Sequence, residues 1–154
     1  MRKIVDFIEH LECPLLNGII FPDETIQLLN IHINKGIPQK YTIQTALKTS
    51  INILNNKNEL WWTSCTILFK LIDQKYSIEI VTGEAGYGSD GFVAVIDLKS
   101  RKLIWLAFFD CSNPFDKVNV IDQEIYATST LGCVWKFKIK NPIDCSVEYN
   151  NTTR

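Results

Sequence analysis

The chain has 154 residues, of which 46% are hydrophobic and 21% charged, and its formal net charge is −1 at pH 7. This length and composition are typical of one folded domain and exclude an intrinsically disordered chain. The near-neutral balance argues against a general nucleic-acid binder, which usually carries a strong excess of basic residues.

The first half of the chain, residues 1–74, has helical periodicity. Apolar residues recur at three- and four-residue spacings within segments 4–11, 22–36 and 43–54, which predicts three amphipathic helices. Pro22 suits the first position of the second helix, and Gly36 suits its end.

A fourth helix is predicted for residues 59–73. This segment is apolar nearly throughout, but its polar residues are three or four positions apart, as on one stripe of a helix. Trp61 and Trp62 would then point to neighbouring faces. We expect both in the core, the alternative being that one of them is an exposed anchor.

The pattern changes to strands from residue 75 to residue 140. Alternating or continuous apolar runs joined by short turns predict antiparallel strands. Pro142 is expected to end the sheet, with residues 141–154 as a tail. The predicted strands cover residues 77–81, 92–96, 102–109, 117–121, 124–129 and 133–139.

These elements predict an α+β fold in a single domain spanning residues 1–154. About four N-terminal helices would pack on one face of a C-terminal antiparallel meander of five to six strands. No linker composition divides the two halves.

The sequence VTGEAGYGSDG, residues 81–91, is rich in glycine and raises the question of a phosphate site. A phosphate loop leads from a strand into a helix, whose N-terminal N–H groups bind the anion. Here the loop leads into FVAVID, a predicted strand, and contains no Lys. The pattern therefore favours a hairpin loop, in which Asp90 and Gly91 form a turn pair.

No catalytic set is expected. His10 and His32 are isolated in predicted helices, and Ser89 lacks a nucleophile-elbow motif. The carboxylates of the two acidic loops have no metal-ligand spacing, so we expect no metal and no cofactor. A small-molecule-binding domain or hydrolase that uses residues 83–91 with Asp90 stays open as an alternative.

Five cysteines occupy positions 13, 65, 111, 133 and 145, without the close spacing of a zinc site. The odd number, together with an N-terminal segment unlike a signal peptide, favours a reducing cytoplasmic environment. No apolar run approaches the roughly 18 residues of a membrane span, so no membrane partner is expected.

The region between Glu79 and Glu124 is acidic, with four Lys and Arg against eight Asp and Glu, a net charge of −4. The segment FFDCSNPFDK within it would place Phe115 at a loop tip between Asp110 and Asp116. An exposed aromatic ringed by acids suits a basic protein partner.

The segments GSDGFVAVID, LIWLAFFDCSNPFDKV and IYATSTLGCVWKFKI, within residues 88–139, resemble small bacterial immunity proteins of polymorphic toxin and contact-dependent growth inhibition systems. This resemblance implies a non-catalytic cytoplasmic protein that blocks the active site of one cognate toxin C-terminal domain. Such toxins are often nucleases, whose substrate-binding surfaces are basic. A non-catalytic subunit of a larger assembly is a further alternative. The candidate contacts are Glu84, Tyr87, Asp90, Asp110, Phe115, Asp116, Asp122 and Glu124.

Overall fold

A computed structural model describes residues 3–36 and 40–149 of the chain. Within them the chain is mostly β, with two six-residue helices. The elements are α1 (Val5–His10), β1 (Glu12–Pro14), β2 (Gly18–Ile20), β3 (Thr25–Asn34), β4 (Lys40–Ser50), α2 (Ile51–Asn56), β5 (Trp62–Ser64), β6 (Thr66–Asp73), β7 (Ile78–Glu84), β8 (Gly91–Asp97), β9 (Leu103–Phe109), β10 (Phe115–Ile121), β11 (Glu124–Ser129), β12 (Cys133–Lys138) and β13 (Asn141–Tyr149).

The strands form two antiparallel sheets and a short two-stranded ribbon, β1–β5. The large sheet has seven strands in the order β4-β3-β2-β9-β8-β7-β6, and the small sheet has four in the order β10-β11-β12-β13. The edges of the two sheets approach each other where β13 lies beside β4 and β10 lies beside β6. The result is a two-layer β-sandwich.

One core fills the space between the two sheets. It takes alternate residues from every strand of the small sheet, and its largest members are Trp105, Trp135, Phe109 and Phe137. The Phe109 and Trp135 ring centroids are 4.4 Å apart. The indole N–H of Trp105 donates to the carbonyl of Ile139 at 2.8 Å, which ties the large sheet to the small one.

A second core lies on the outer face of the large sheet. Ile4, just before α1, and Phe7 within it belong to this core, and the Phe7 ring meets that of Phe92 edge-on at 5.4 Å between centroids. The start of this segment is held because the Ile4 N–H donates to the Glu24 carboxylate at 2.9 Å. The β1–β5 ribbon and α2 add to this cover through Cys13 and other apolar residues.

The two ends of the sandwich differ in their connections. We call "loop end" the end formed by residues 84–91, 110–114 and 130–132, and "turn end" the opposite end, formed by residues 21–24, 98–102, 122–123 and 139–140. The loop end has long irregular connections, whereas most of those at the turn end are tight turns.

The predicted α+β architecture is wrong, because the region expected to hold four helices is mainly β. Only the first helix is found near its predicted place, as α1. The segments predicted as helices at 22–36 and 59–73 form β3 and β5–β6, and segment 43–54 is divided between β4 and α2. Residues 141–149 are also a strand rather than a tail.

Bulges in β4 and β6, and apolar residues on both faces of β3, explain why the strands were mistaken for helices. An extra residue stands in β4 near Ala46 and another in β6 near Leu68, where the pairing register shifts. A bulge breaks the two-residue alternation and leaves apolar residues at three- and four-residue spacings. The exposed side chains of Leu68 and Ile72 hide the alternation of β6 further.

The predicted strands between residues 77 and 139 are confirmed as β7 to β12. The predicted sidedness of the strand at 133–139 also holds, since Trp135 and Phe137 are buried while Lys138 is exposed. Within residues 3–36 and 40–149, no helix has the length and apolar character needed to cross a membrane.

Candidate functional site

The glycine-rich loop at the loop end is held by a buried carboxylate. Asp90 is fully buried, and its two oxygens accept the N–H groups of Ala85 at 3.0 Å and Tyr87 at 3.3 Å. A side chain that bonds its own loop in this way fixes the loop as a backbone turn would. The role of Asp90 is therefore to shape residues 85–90.

Neighbouring loops hold this hairpin tip in place. The Ser89 hydroxyl donates to the Asp110 carbonyl at 3.0 Å, and the Asn113 N–H donates to the Ser89 carbonyl at 2.8 Å. The Asp110 N–H in turn donates to the Asn17 side chain at 2.8 Å. On the other side, the Gly86 N–H donates to the Thr63 hydroxyl at 3.3 Å. The loops thus form one connected surface.

Gly91 allows the loops to approach each other. A Cβ atom at this position would stand 2.5 Å from the Asn113 carbonyl oxygen and 2.8 Å from the Phe115 ring. Gly88 has a φ of +81°, a conformation that side-chain-bearing residues rarely adopt. The prediction that these glycines serve backbone geometry between two strands is confirmed.

Two aromatic side chains project from this connected surface into solvent. Tyr87 is 72% exposed, and Trp61 is 68% exposed. Trp61 lies two residues before Thr63, about 7 Å along an extended backbone, and Thr63 bonds the residue before Tyr87. Trp62 is half-buried. The expectation that both tryptophans belong to the core is wrong for Trp61.

The same surface is acidic. Its segments 61–66, 84–91 and 110–114 contain Glu84, Asp90 and Asp110 and no Lys or Arg. Asp110 is exposed, Glu84 is half-buried as the last residue of β7, and the buried Asp90 contributes its charge from beneath the loop. The net charge of these three segments is therefore negative.

Two of the predicted contact residues are not at the surface. Asp90 and Phe115 are each 0% exposed. Phe115 begins β10 with its ring in the core, where it meets Trp135 edge-on at 5.8 Å between centroids. The expectation that Phe115 sits at a loop tip is wrong, because the strand begins at Phe115 itself and directs that side chain between the sheets.

Two of the three remaining predicted residues lie at the opposite end of the sandwich. Asp122 and Glu124 flank the β10–β11 turn at the turn end, about 20 Å from Phe115 along the seven residues of β10. Asp116 is half-buried at the beginning of β10. The eight residues therefore form no single patch, and only Glu84, Tyr87 and Asp110 lie together on the exposed surface of the loop end.

The pKa values of Cys111 and Tyr41, near this end, are raised. Burial and the adjacent Asp110 carboxylate raise the pKa of Cys111 to about 12. Burial, with the nearby Cys133 and Cys111, raises the pKa of Tyr41 to about 12. A nucleophilic cysteine needs a lowered pKa, and the surroundings of Cys111 act in the opposite direction.

Residues that could supply acid–base or metal chemistry are dispersed in the described ranges. His10 ends α1 and His32 is exposed on β3, not on a helix as predicted. No three His, Cys, Asp or Glu side chains of residues 3–36 and 40–149 gather as metal ligands would.

Several residues that build the loop end were not predicted from the sequence. Thr63, Ser89 and Asn17 position the loops through hydrogen bonds between segments far apart in the chain. Among the residues of this surface that were not predicted as contacts, only Trp61 carried a signal in the sequence. Two adjacent tryptophans have more apolar surface than a small two-stranded ribbon can bury.

Comparisons of the chain with protein-family models, with curated proteins and with solved structures give no match. The geometry of the loop end is thus the structural observation from which a function can be proposed.

Proposed function

We propose that the chain is an immunity-type inhibitor that binds the basic active-site face of a toxin domain with its loop end. The observation that carries this proposal is the pair of exposed aromatics, Trp61 and Tyr87, on a surface with acidic residues and no basic ones. The chain would act by steric occlusion.

The aromatic pair has the properties of interface anchors. Tryptophan and tyrosine are enriched among the few residues that dominate binding energy at protein interfaces. Large apolar side chains that are more than two thirds exposed gain most by burial against a partner, at roughly 25 cal/mol per Å² of apolar surface. Trp61 and Tyr87 are therefore the expected centre of the contact.

The fixed shape of the loops supports binding. The Asp90 carboxylate and the bonds through Ser89 and Asn17 order the loops before any partner arrives. Less conformational entropy is then lost on association, which leaves more of the contact energy as affinity.

The charge of the surface indicates the kind of partner. Glu84 and Asp110 flank the aromatics, and complementary charge speeds association and rejects acidic partners. A nuclease binds its substrate through a basic face, because the substrate is a polyanion. The positive charge of such a face is complementary to the negative charge of the loop-end segments.

The alternative of a hydrolase that uses Asp90 receives no support from this geometry. Both carboxylate oxygens of Asp90 accept loop N–H groups, and the side chain is fully buried. A general base or nucleophile must reach a substrate atom, directly or through one water.

Growth rescue tests the proposal. The chain would be co-expressed with the toxin domain encoded beside its own gene, and we expect wild type to restore growth and to co-purify with the toxin. Trp61→Ala with Tyr87→Ala should weaken binding by at least about 2 kcal/mol, the usual scale for anchor residues. Because both side chains are exposed, unfolding should change by less than about 0.5 kcal/mol.

Matched controls separate the loop end from the rest of the surface. Leu47→Ala removes a side chain that is 66% exposed on β4 and should leave binding intact. Asp110→Asn and Asp122→Asn each remove one negative charge, at the loop end and the turn end respectively. Only the first should slow association, and equal effects would contradict the assignment of the interface.

A further inference from the structure

A cavity of about 470 Å³ opens at the turn end, where β3 and β4 of the large sheet face β13 of the small sheet. We propose that it binds a small amphipathic carboxylate, in which an apolar body carries the acid and a neighbouring N–H or O–H donor. This site is separate from the loop end and does not depend on the function proposed there.

The size and position of the cavity suit a small ligand. Binding pockets for small molecules usually enclose about 300–1,000 Å³ and often lie between packed elements. No backbone hydrogen bonds join β4 to β13 in the described structure, so the sheets are separated there by side chains alone. The seam between these two strands provides an entrance.

A buried amide supplies the first polar group. Gln27 is 4% exposed, and its Nε2 donates to the carbonyls of Leu28 and Ala46, both at 3.0 Å. Carbonyl oxygens only accept hydrogen bonds, so these contacts fix which end of the amide is the NH₂ group. Both of its hydrogens are used beside the bulge of β4, which leaves Oε1 as an acceptor at the cavity wall.

A lysine supplies the second polar group. Lys48 is paired with Gln27 across β3 and β4, so the two side chains leave the same face of the sheet about 5 Å apart at Cβ. Lys48 is exposed and forms no ion pair with the residues that the structure describes. No acidic residue lines the cavity, so its net charge is positive.

Apolar side chains complete the lining. Phe21, Ile53 and Ile143 come from three different elements and face the same space as Gln27 and Lys48. A ligand carboxylate would pair with the Lys48 ammonium, and a ligand N–H or O–H would donate to Gln27 Oε1. The apolar body would lie against the three apolar side chains.

Titration of the isotope-labelled full chain with indoleacetate, followed by NMR, tests this site. Indoleacetate has the carboxylate, the N–H donor and an apolar ring system. We expect saturable shifts centred on Gln27, Thr49 and Ile143, with a Kd of about 0.1–1 mM. Shifts confined to other parts of the chain, or no saturation, would overturn the proposal.

Matched probes test each polar group without altering the fold. Naphthylacetate lacks the N–H donor and should bind about fivefold more weakly. Tryptamine carries a cation in place of the acid and should not saturate the site, because Lys48 repels it. Equal affinity of naphthylacetate and indoleacetate would show that Gln27 does not contribute to binding.

One pair of protein variants completes the test. Lys48→Gln should weaken indoleacetate binding about tenfold, since a charge-assisted hydrogen bond is replaced by a neutral one. Lys70→Gln removes an equally exposed lysine from β6, which does not line the cavity, and should leave the affinity unchanged. An unchanged affinity of Lys48→Gln would contradict the proposal.

Discussion

The two ends of the sandwich are ordered in different ways. At the loop end, side chains hold the chain: Asp90, Ser89 and Asn17 bond backbone groups across three connections. At the turn end, contacts within single turns do so: Asp122 and Gln123 have positive φ values of 49° and 69°, and Asp97 accepts the Ser100 N–H within its own turn.

This difference indicates which substitutions should affect each end of the sandwich. Side chains that order long loops at the loop end leave Trp61 and Tyr87 free to contact a partner. Local backbone geometry closes the tight turns at the turn end. The cavity at that end is lined mainly by residues of strands. The comparison predicts that side-chain deletions will matter most at the loop end.

The largest effect is expected for Asp90→Ala. Its removal leaves the N–H groups of Ala85 and Tyr87 without their acceptors, which should lower the free energy of unfolding by about 3 kcal/mol. Asp97→Ala at the turn end removes an exposed bond to the Ser100 N–H and should cost less. Urea denaturation of both variants measures the difference, and equal losses would refute the comparison.

A smaller loss is expected for Gly91→Ala. Its new Cβ would meet the Asn113 carbonyl at 2.5 Å, so β8 and the 110–114 loop must separate, at a cost of about 2 kcal/mol. Gly36→Ala serves as the control, because its Cβ would come no closer than 3.4 Å to Asn34 Oδ1. Thermal unfolding should separate the two variants clearly. Similar melting temperatures of the two variants would show that β8 and the 110–114 loop separate without a loss of stability.

The smallest change is a gain at the turn end. Gln123→Gly should stabilise the chain by about 0.5–1 kcal/mol, because glycine adopts a positive φ without the strain that glutamine bears. Gln44→Gly, on the exposed face of β4, should instead destabilise it by a similar amount. Denaturation midpoints with opposite signs are the expected result. Destabilisation by both would show that the turn does not depend on backbone conformation.

The sequence predicts the second half of the fold well, because alternation is unbroken there. In β12, Cys133, Trp135 and Phe137 face inward in a strict two-residue period. In β3, both faces are apolar: Ile26 lies in the outer core and Leu29 in the core between the sheets, and with Ile33 they match a helical stripe. Pairing with β2 and β4 decides between a strand and a helix for this segment. A local sequence pattern does not contain that information.

The candidate site was predictable only in part. The exposed tip at Tyr87 follows from the glycines around it, but the predicted turn pair Asp90-Gly91 is wrong, because the turn lies at Gly86 and Tyr87 and Gly91 begins β8. The buried Asp90 carboxylate lies near the buried thiol of Cys13, a contact across more than 70 residues of the chain that no local pattern contains. Likewise, the orientation of Gln27 is set by Ala46, on another strand.

The pairing of β2 with β9 has a consequence for the order of folding. Gly18 is paired with Phe108, 90 residues further along the chain, whereas each strand of the small sheet is paired with its neighbour in sequence. Closing so long a loop costs entropy before any contact repays it, and such contacts slow folding. We expect the meander from Phe115 to Tyr149 to form early and the β2–β9 pairing to complete the large sheet late, so the first twenty residues would be the last to gain protection from hydrogen exchange.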